Sequence, residues 1–466
     1  MNIVSQFGTA IHVHNDTPLD SPPSPSKMAA MLPTMAFIAM IVAAVAPRST
    51  PFMLLLFGGS IVATAAATDR TISFRPLPGL VWVLAAMGVY LTLNSFWSVS
   101  PAFGLGRVVL FALIVAMGLA VARAIPMLSR DTLDQLCKAL ILAVGIAAMF
   151  LAFETVFGQP IRRFVVSIVP VLRPPPKHMQ VVNEWVTRIN LYTLNRNLAL
   201  LNVFLWPSLL LLRTRRWRME PWLAGAALIA VTGIAAFNSE HESSMIALVI
   251  GCLVLVGMTV APAVSRALVM AAWFAATMLI VPAANIAHDA GLHHVEWIPQ
   301  TARNRIVLWN VTADRLHRAP ILGIGMGSTK PLDEEAAASA PLEPGDTYAQ
   351  RTGRHAHNIF MQTWYELGAV GAILLLVMGS IALRAMTRLP STDQPFAFAS
   401  FASTMVLAAF TWGIWQPWFM CAFGLWAVLL LVSLDATRRA SDARSSASSL
   451  ASEPSTHSGH TAPRGM

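Results

Sequence analysis

Charge is scarce in this sequence. Only 12% of its 466 residues are Asp, Glu, Lys or Arg, against about 25% in an ordinary soluble domain. Hydrophobic residues make up 56% and mean hydropathy is +0.60. An apolar excess of that size has to face lipid, which excludes a simple soluble globule. Cysteine is nearly absent as well. The three present, Cys137, Cys252 and Cys421, stand singly and with no redox or metal-ligand spacing, so a disulfide framework is excluded. Acidic residues are outnumbered 23 to 32, for a net charge of +9. The basic residues lie between apolar runs as topology signals, so nucleic acid is not an expected partner. No clear repeat relates the two halves, no matched pair of Gly/Pro-interrupted runs appears, and few ionisable groups fall inside the runs. These absences argue against a proton-coupled transporter core.

What is present is a series of apolar runs near the length of about 20 residues needed to cross hydrocarbon. They fall at about 29–46, 51–67, 79–97, 104–121, 137–157, 198–212, 221–238, 244–260, 267–287, 359–383, 395–413 and 417–434. The expected fold is therefore an all-α polytopic membrane protein of about twelve helices. Short junctions carry Arg70 and Arg75; Arg123, Arg130 and Lys138; Arg213, Arg215, Arg216 and Arg218; Arg266; Arg384 and Arg388. With twelve crossings all of these share one side with Lys27, Arg438 and Arg439, and by the positive-inside rule that side is the cytoplasm. Both termini are expected there. Residues 1–28 form a polar segment unlike a cleavable signal, and residues 435–466 a tail read as disordered from about Ser441. The same reading puts helices one to five at 29–157, six to nine at 198–287 and ten to twelve at 359–434. Two long loops, 158–197 and 288–358, then face the periplasm. The first carries Arg162, Arg163, Arg173, Lys177, Arg188 and Arg196, for which an anionic ligand at the outer surface is a natural explanation. Glu154 lies near the outer end of one run, and Glu240, His241 and Glu242 at an outer turn.

The 288–358 loop holds the densest polar information. Ile306, Trp309, Ala313 and Leu316 recur at helical spacing. They predict an amphipathic helix lying against the membrane surface, with Trp309 inward and Arg303 and Arg305 near its start. Pro320 closes it, and Gly323, Gly325 and Gly327 make a permissive turn, read either as a plain turn or as an anion-binding nest. At the far end His355, His357 and Asn358 stand where the chain re-enters the membrane, followed by Gly368 and Gly371. A histidine at that boundary can exchange a proton near neutral pH, or can simply cap the helix; Arg305 can equally be an interfacial arginine beside an aromatic. Glu366, one turn from Gln362, is a candidate buried hydrogen-bond partner. His288, His293, His294 and Glu296 resemble a metal cluster in composition, but their spacing matches no standard zinc pattern, and no metal or other cofactor is expected.

These residues resemble a known family. His357-Asn358, nine residues, then Gly368-x-x-Gly371 is similar to the signature of the O-antigen ligase and O-antigen polymerase-like superfamily. Arg305-x-x-x-Trp309 with Pro320 and the GIGMG turn resembles the preceding segment, and SFWSVSPAFGLGR at 95–107 an early one. The resemblance implies a GT-C-like glycosyltransferase of the bacterial inner membrane, working at the periplasmic face without a metal. The donor it implies is a glycan on undecaprenyl pyrophosphate, and the acceptor lipid A–core for a ligase or another lipid-linked glycan for a polymerase. The family's essential histidine and arginine map to His357 and Arg305. Many ligases carry Ser-Arg where this sequence has His241 and Glu242, so a second arginine would have to come from Arg196, Arg188, Arg303 or Arg354.

The expected chemistry is attack of an acceptor hydroxyl on the donor's anomeric carbon. Arg305, assisted by Arg303 or Arg196, stabilises the leaving pyrophosphate. His357 takes the hydroxyl proton or orients the acceptor, and Arg354 and Asn358 are further candidate substrate contacts. The competing readings are a polysaccharide polymerase, a transporter of lipid-linked glycan, and an inactive membrane scaffold.

Overall fold

The structure, a computed structural model, describes residues 27–68, 79–214, 220–339 and 351–451. Arg70, Arg75, Arg215, Arg216 and Arg218, and almost all of the N-terminal segment, lie outside the described residues. The described chain forms α1 (Lys27–Val45), α2 (Thr50–Ala66), α3 (Gly79–Ser95), α4 (Pro101–Ala124), α5 (Arg130–Val156) and α6 (Pro160–Ile168). A hairpin of β1 (Met179–Val182) and β2 (Trp185–Ile189) follows. Then come α7 (Asn195–Leu212), α8 (Pro221–Phe237), α9 (Glu242–Val260), α10 (Pro262–Met278), α11 (Ile280–Asp289), α12 (Gln300–Arg315), α13 (Thr329–Ser339), α14 (Ile359–Met386), α15 (Gln394–Phe410) and α16 (Pro417–Ala451). Proline opens α4, α6, α8, α10 and α16, where its missing N–H costs nothing and its fixed φ already suits the helix.

All twelve predicted apolar runs lie in helices. Among the described residues seven helices are long and apolar enough to cross a membrane, or eight if α10 and α11, bent by 75°, form one span. The remaining runs fall in α3, α8 and α15, each 17 residues long, and in α7. α7 is the centre of the bundle. Every residue from Asn197 to Leu212 is buried, which is what an all-round apolar helix requires. Peripheral helices instead expose large apolar side chains, such as Trp82 (69%), Trp222 (69%) and Val260 (78%). That belt is the face a lipid environment would cover.

The two ends of the bundle differ. At one end Arg213 pairs with Asp393, Arg266 donates to Gln394 Oε1, and Arg439 donates to the carbonyls of Ile125 and Leu128. Groups that the sequence assigned to one side therefore meet. The tail departs from expectation: α16 continues to Ala451, through residues read as disordered. Alanine-rich sequence favours helix, and Asp435 holds Arg438 and Arg439 one turn on.

The other end carries the loops. Loop 158–197 is not irregular; it folds as α6 packed on the hairpin. Its arginines are largely spoken for. Arg162 donates to Gln159 Oε1 and Thr193 Oγ1, Arg163 to Thr187 O, and Arg173 to Val166 O and Glu184 O. For these three, internal hydrogen bonds replace the predicted external anion. α12 forms as predicted, with Trp309 inward, and packs on α11 and α14; Ala313 of the expected stripe is buried, Ile306, Trp309 and Leu316 are half-buried, and Val307, Val311 and Thr312 are buried as well.

α14 breaks at Gly368, where φ is 63° and ψ −164°. The glycine turn wraps this break. Ile324 N donates to Tyr365 O, Gly325 N to Glu366 O, Ala369 N to Pro320 O and Val370 N to Ile321 O. A Cβ on Gly368 would lie 2.4 Å from Ile321 O, and one on Gly323 2.3 Å from Glu366 O. The fully buried Glu366 carboxylate accepts from Gly327 N (3.0 Å), Thr329 N (3.2 Å), Thr329 Oγ1 and Trp415 Nε1. Donors of the turn are thus taken up by the protein's own side chain. Asn94 and Ser98 complete the junction, Asn94 donating to Leu322 O and accepting from Met326 N, Ser98 donating to Met326 O.

Gly368 occupies a conformation open almost only to glycine, at a cost of about 1–3 kcal/mol for other residues. Gly368→Ala should therefore lower the thermal midpoint in detergent clearly. Gly145→Ala, inside α5 with nothing within 4 Å of the added methyl, should leave it unchanged or raised.

Candidate active site

Three segments meet at the loop end. His357 stands just before α14 and adopts φ 52°, a left-handed conformation uncommon outside glycine. It is held there from three sides. Asn358 Oδ1 caps α14 by accepting from Phe360 N (2.9 Å) and Met361 N (3.0 Å). Trp309 Nε1 donates to Ala356 O (2.7 Å). The His357 ring itself is bonded through Nδ1 to Thr411 O. A carbonyl only accepts, so Nδ1 carries the proton and Nε2 is left as the basic nitrogen.

Arg305 projects from α12 into the same region. Its charge acts on the imidazoles of His241, His355 and His357 together. It is half-buried, and among the described residues it makes no hydrogen bond and no ion pair. Burial lowers its pKa, and the field of Glu242 partly opposes that. Glu242 opens α9 and accepts from Thr301 Oγ1 (3.0 Å), which ties the start of α12 to α9. Burial also lowers all three imidazoles, with Arg305 adding to the effect; for His355 the neighbouring His357, 4.1 Å between ring centroids, adds more. His241 and His355 fall to about 3, while the bond to Thr411 partly restores His357. The three are neutral at pH 7.

An aromatic row links this cluster to α7. His241 lies 5.3 Å from Trp412, Trp412 4.7 Å from Trp418, and Arg196 sits over the Trp418 ring at 5.4 Å. Arg196 Nε is buried without a partner, and Arg48 at the α1–α2 turn lies within electrostatic reach. Below Trp418 an apolar pocket is lined by Ala199, Leu200, Val203, Leu407 and Phe419.

The other predicted site residues are placed differently. Arg303 donates to Gln300 Oε1 on its own helix (2.7 Å), Arg354 pairs with Glu334 at the surface (2.7 Å), and Arg188 is exposed on β2. Asn358 spends its side-chain oxygen on the helix cap, and Glu366 bonds the glycine turn in place of Gln362. Gln362 Oε1 accepts from Ile414 N. The rings of His288 and His293 stack at 4.3 Å, and no group of three or more potential ligands among the described residues is arranged to hold a metal. Sequence reading passed over Thr411, Trp412 and Trp418. The signal was available, three tryptophans within seven residues where two apolar runs meet.

Fold and cluster define a polytopic helical membrane protein with a cationic, imidazole-lined site at one end of its bundle. Residues 226–376 match the O-antigen ligase family model, a stretch that contains both Arg305 and His357. Three proteins named "putative polysaccharide ligase" are similar to the chain. That of Rickettsia conorii is 23% identical over 53% of this chain and 61% of its own length. That of Rickettsia prowazekii is 22% identical over 54% and 62%, and that of Rickettsia felis 20% over 73% and 76%. The chain thus spans about three-fifths of the first two relatives. The family resemblance read from the residues is shown by these matches.

Histidines held neutral in the fold bind fewer protons than in the unfolded chain below their ordinary value near 6.5. Their contribution to stability is complete above pH 6.5 and is lost as pH falls toward about 3. The thermal midpoint in detergent should drop between pH 7 and pH 4, and His241→Gln should flatten that slope.

Proposed function

We propose that this protein transfers a polysaccharide from undecaprenyl pyrophosphate to an acceptor hydroxyl at the periplasmic face of a bacterial inner membrane. The acceptor proposed is lipid A–core, making the reaction the ligation step of lipopolysaccharide synthesis. Twelve crossings with both termini in the cytoplasm give the matching topology. The observation that carries the reading is a half-buried guanidinium, Arg305, with no direct partner among the described residues, its charge acting on a neutral imidazole whose proton is fixed on Nδ1. A charged group left unpaired at a partly buried site favours an anionic ligand. The ligase names of the relatives and of the family support the same reaction class.

The chemistry follows from the donor. The acceptor oxygen forms a bond to the anomeric carbon while the bond from that carbon to the phosphate oxygen breaks, its electron pair leaving on the pyrophosphate. Arg305 meets that developing charge with a planar fork of donors. Arg196 is the second cation proposed: it stands at the far end of the aromatic row from His241, and among the described residues its Nε has no hydrogen-bond partner. His357 Nε2 takes the hydroxyl proton, a contribution of roughly 10²–10⁴-fold.

His357→Ala should reduce transfer in vitro by about 10²–10⁴-fold while the protein still inserts and purifies normally; wild-type rates would exclude the base. Because His357 lies below its ordinary value, kcat/KM should be flat across neutral pH and decline only below about 6.5. A deletion strain separates the ligase from a polymerase. Loss of all attached chains with accumulation of lipid-linked polymer supports the ligase, whereas core bearing one repeat unit contradicts it.

A further inference from the structure

The face of α6 is inverted relative to an ordinary surface helix. Ile161, Phe164, Val165 and Ile168, spaced at i, i+3, i+4 and i+7, are its exposed stripe, with Phe164 and Ile168 each 57% accessible. Its polar residues turn to the hairpin and the turn that follows it: Arg162 reaches Thr193, Arg163 reaches Thr187 O, and Ser167 Oγ accepts from Val186 N (2.9 Å). Water-facing helices do the opposite. The stripe continues past the helix into Val171, 86% exposed, and Leu172, and Trp185 of β2 stacks on Phe164 at 6.4 Å between centroids.

In sequence this strip follows the end of α5, where Phe153, Val156 and the capping Phe157 are also exposed. The corner between them is rigid. Gly158 and Gln159 both take positive φ, and the Glu154 carboxylate accepts from Ile161 N (2.9 Å) and Arg162 N (3.2 Å) at the start of α6. The orientation of the stripe is therefore fixed by a helix whose own exposed face is apolar and long enough to span. Exposed Lys177 and Arg188 belong to the same unit, as cations do beside anionic headgroups, and tryptophan suits the same boundary.

We propose that α6, the turn at 169–172 and Trp185 lie in the interfacial layer of the leaflet toward which α5 runs, as a monotopic foot on a polytopic protein. The foot reaches the candidate site through one short path. Gln159 Nε2 donates to Ile189 O and Asn190 O, and Arg162 to Thr193 Oγ1, immediately before α7 and Arg196. Its seat in the lipid sets the height of α7's first turn above the hydrocarbon. This inference does not depend on the reaction proposed above.

The test uses the full chain with Cys137, Cys252 and Cys421 replaced, reconstituted in phosphatidylethanolamine–phosphatidylglycerol vesicles. Spin labels are placed singly at Phe164→Cys, Val171→Cys and, as a hydrated control, Glu335→Cys on α13. Labels at 164 and 171 should collide with oxygen severalfold more, and with a water-soluble nickel chelate severalfold less, than the label at 335. Chelate access equal to that at 335 overturns the proposal. Dipolar broadening at 164 or 171 that vanishes on dilution with unlabelled protein also overturns it, because the face would then join two copies. Val171→Asp combined with Leu172→Asp should raise chelate access at 164 without changing elution in detergent; unchanged access there would contradict the foot.

Discussion

The buried carboxylate of Glu366 and the break in α14 beside it hold the loop end of this protein together. A helix broken inside a low-dielectric environment exposes backbone groups that must find partners. Here the chain supplies them from its own glycine turn, and the carboxylate binds the donors that the turn has left over. Three regions far apart in sequence close on this point: the end of α3 through Asn94 and Ser98, the turn after α12, and Trp415 before α16. Only because that junction is fixed can α12 present Arg305 and the start of α14 present His357 to one another.

The electrostatics of the cluster follow from that enclosure. Burial penalises every charge in it, and the cheapest response is for the histidines to stay neutral while arginine, whose ordinary pKa is far higher, stays charged. Glu242 softens the penalty at Arg305 without pairing with it. The result is a cation with no direct partner among the described residues, amid neutral imidazoles. Arg196, in the first turn of the central helix, stands at the other end of the row of Trp412 and Trp418, where its charge meets that of Arg48.

Much of this was legible in the residues. Apolar runs located every long helix, and the paired signals around Arg305, His357 and Gly368 marked the segments that meet. What was hidden depended on tertiary contacts. The helix of Gln300–Arg315 was foreseen, but its buried face depends on what α11 and α14 offer: of the stripe read as Ile306, Trp309, Ala313 and Leu316 only Ala313 is buried, together with Val307, Val311 and Thr312. Arg162, Arg163 and Arg173 looked like ligands because a charge pattern cannot show which hydroxyl and carbonyl oxygens a fold will aim at them. The hairpin at 179–189 was missed among prolines and basic residues, and the helix to Ala451 because serine-rich composition resembles disorder until Asp435 pairs with its arginines. Arg354 and Arg303 are ordinary cationic candidates in sequence. Glu334 and Gln300 take them up at short range.

The central claim is that Arg305 binds a lipid diphosphate while His357 acts only in the chemistry. Direct binding of undecaprenyl pyrophosphate to purified protein in detergent, compared across wild type, Arg305→Gln and His357→Ala, tests it most simply. Loss of a charge-assisted contact of about 1.5–3 kcal/mol should weaken binding roughly tenfold or more in Arg305→Gln and leave His357→Ala close to wild type. Equal binding by Arg305→Gln and wild type would contradict the account.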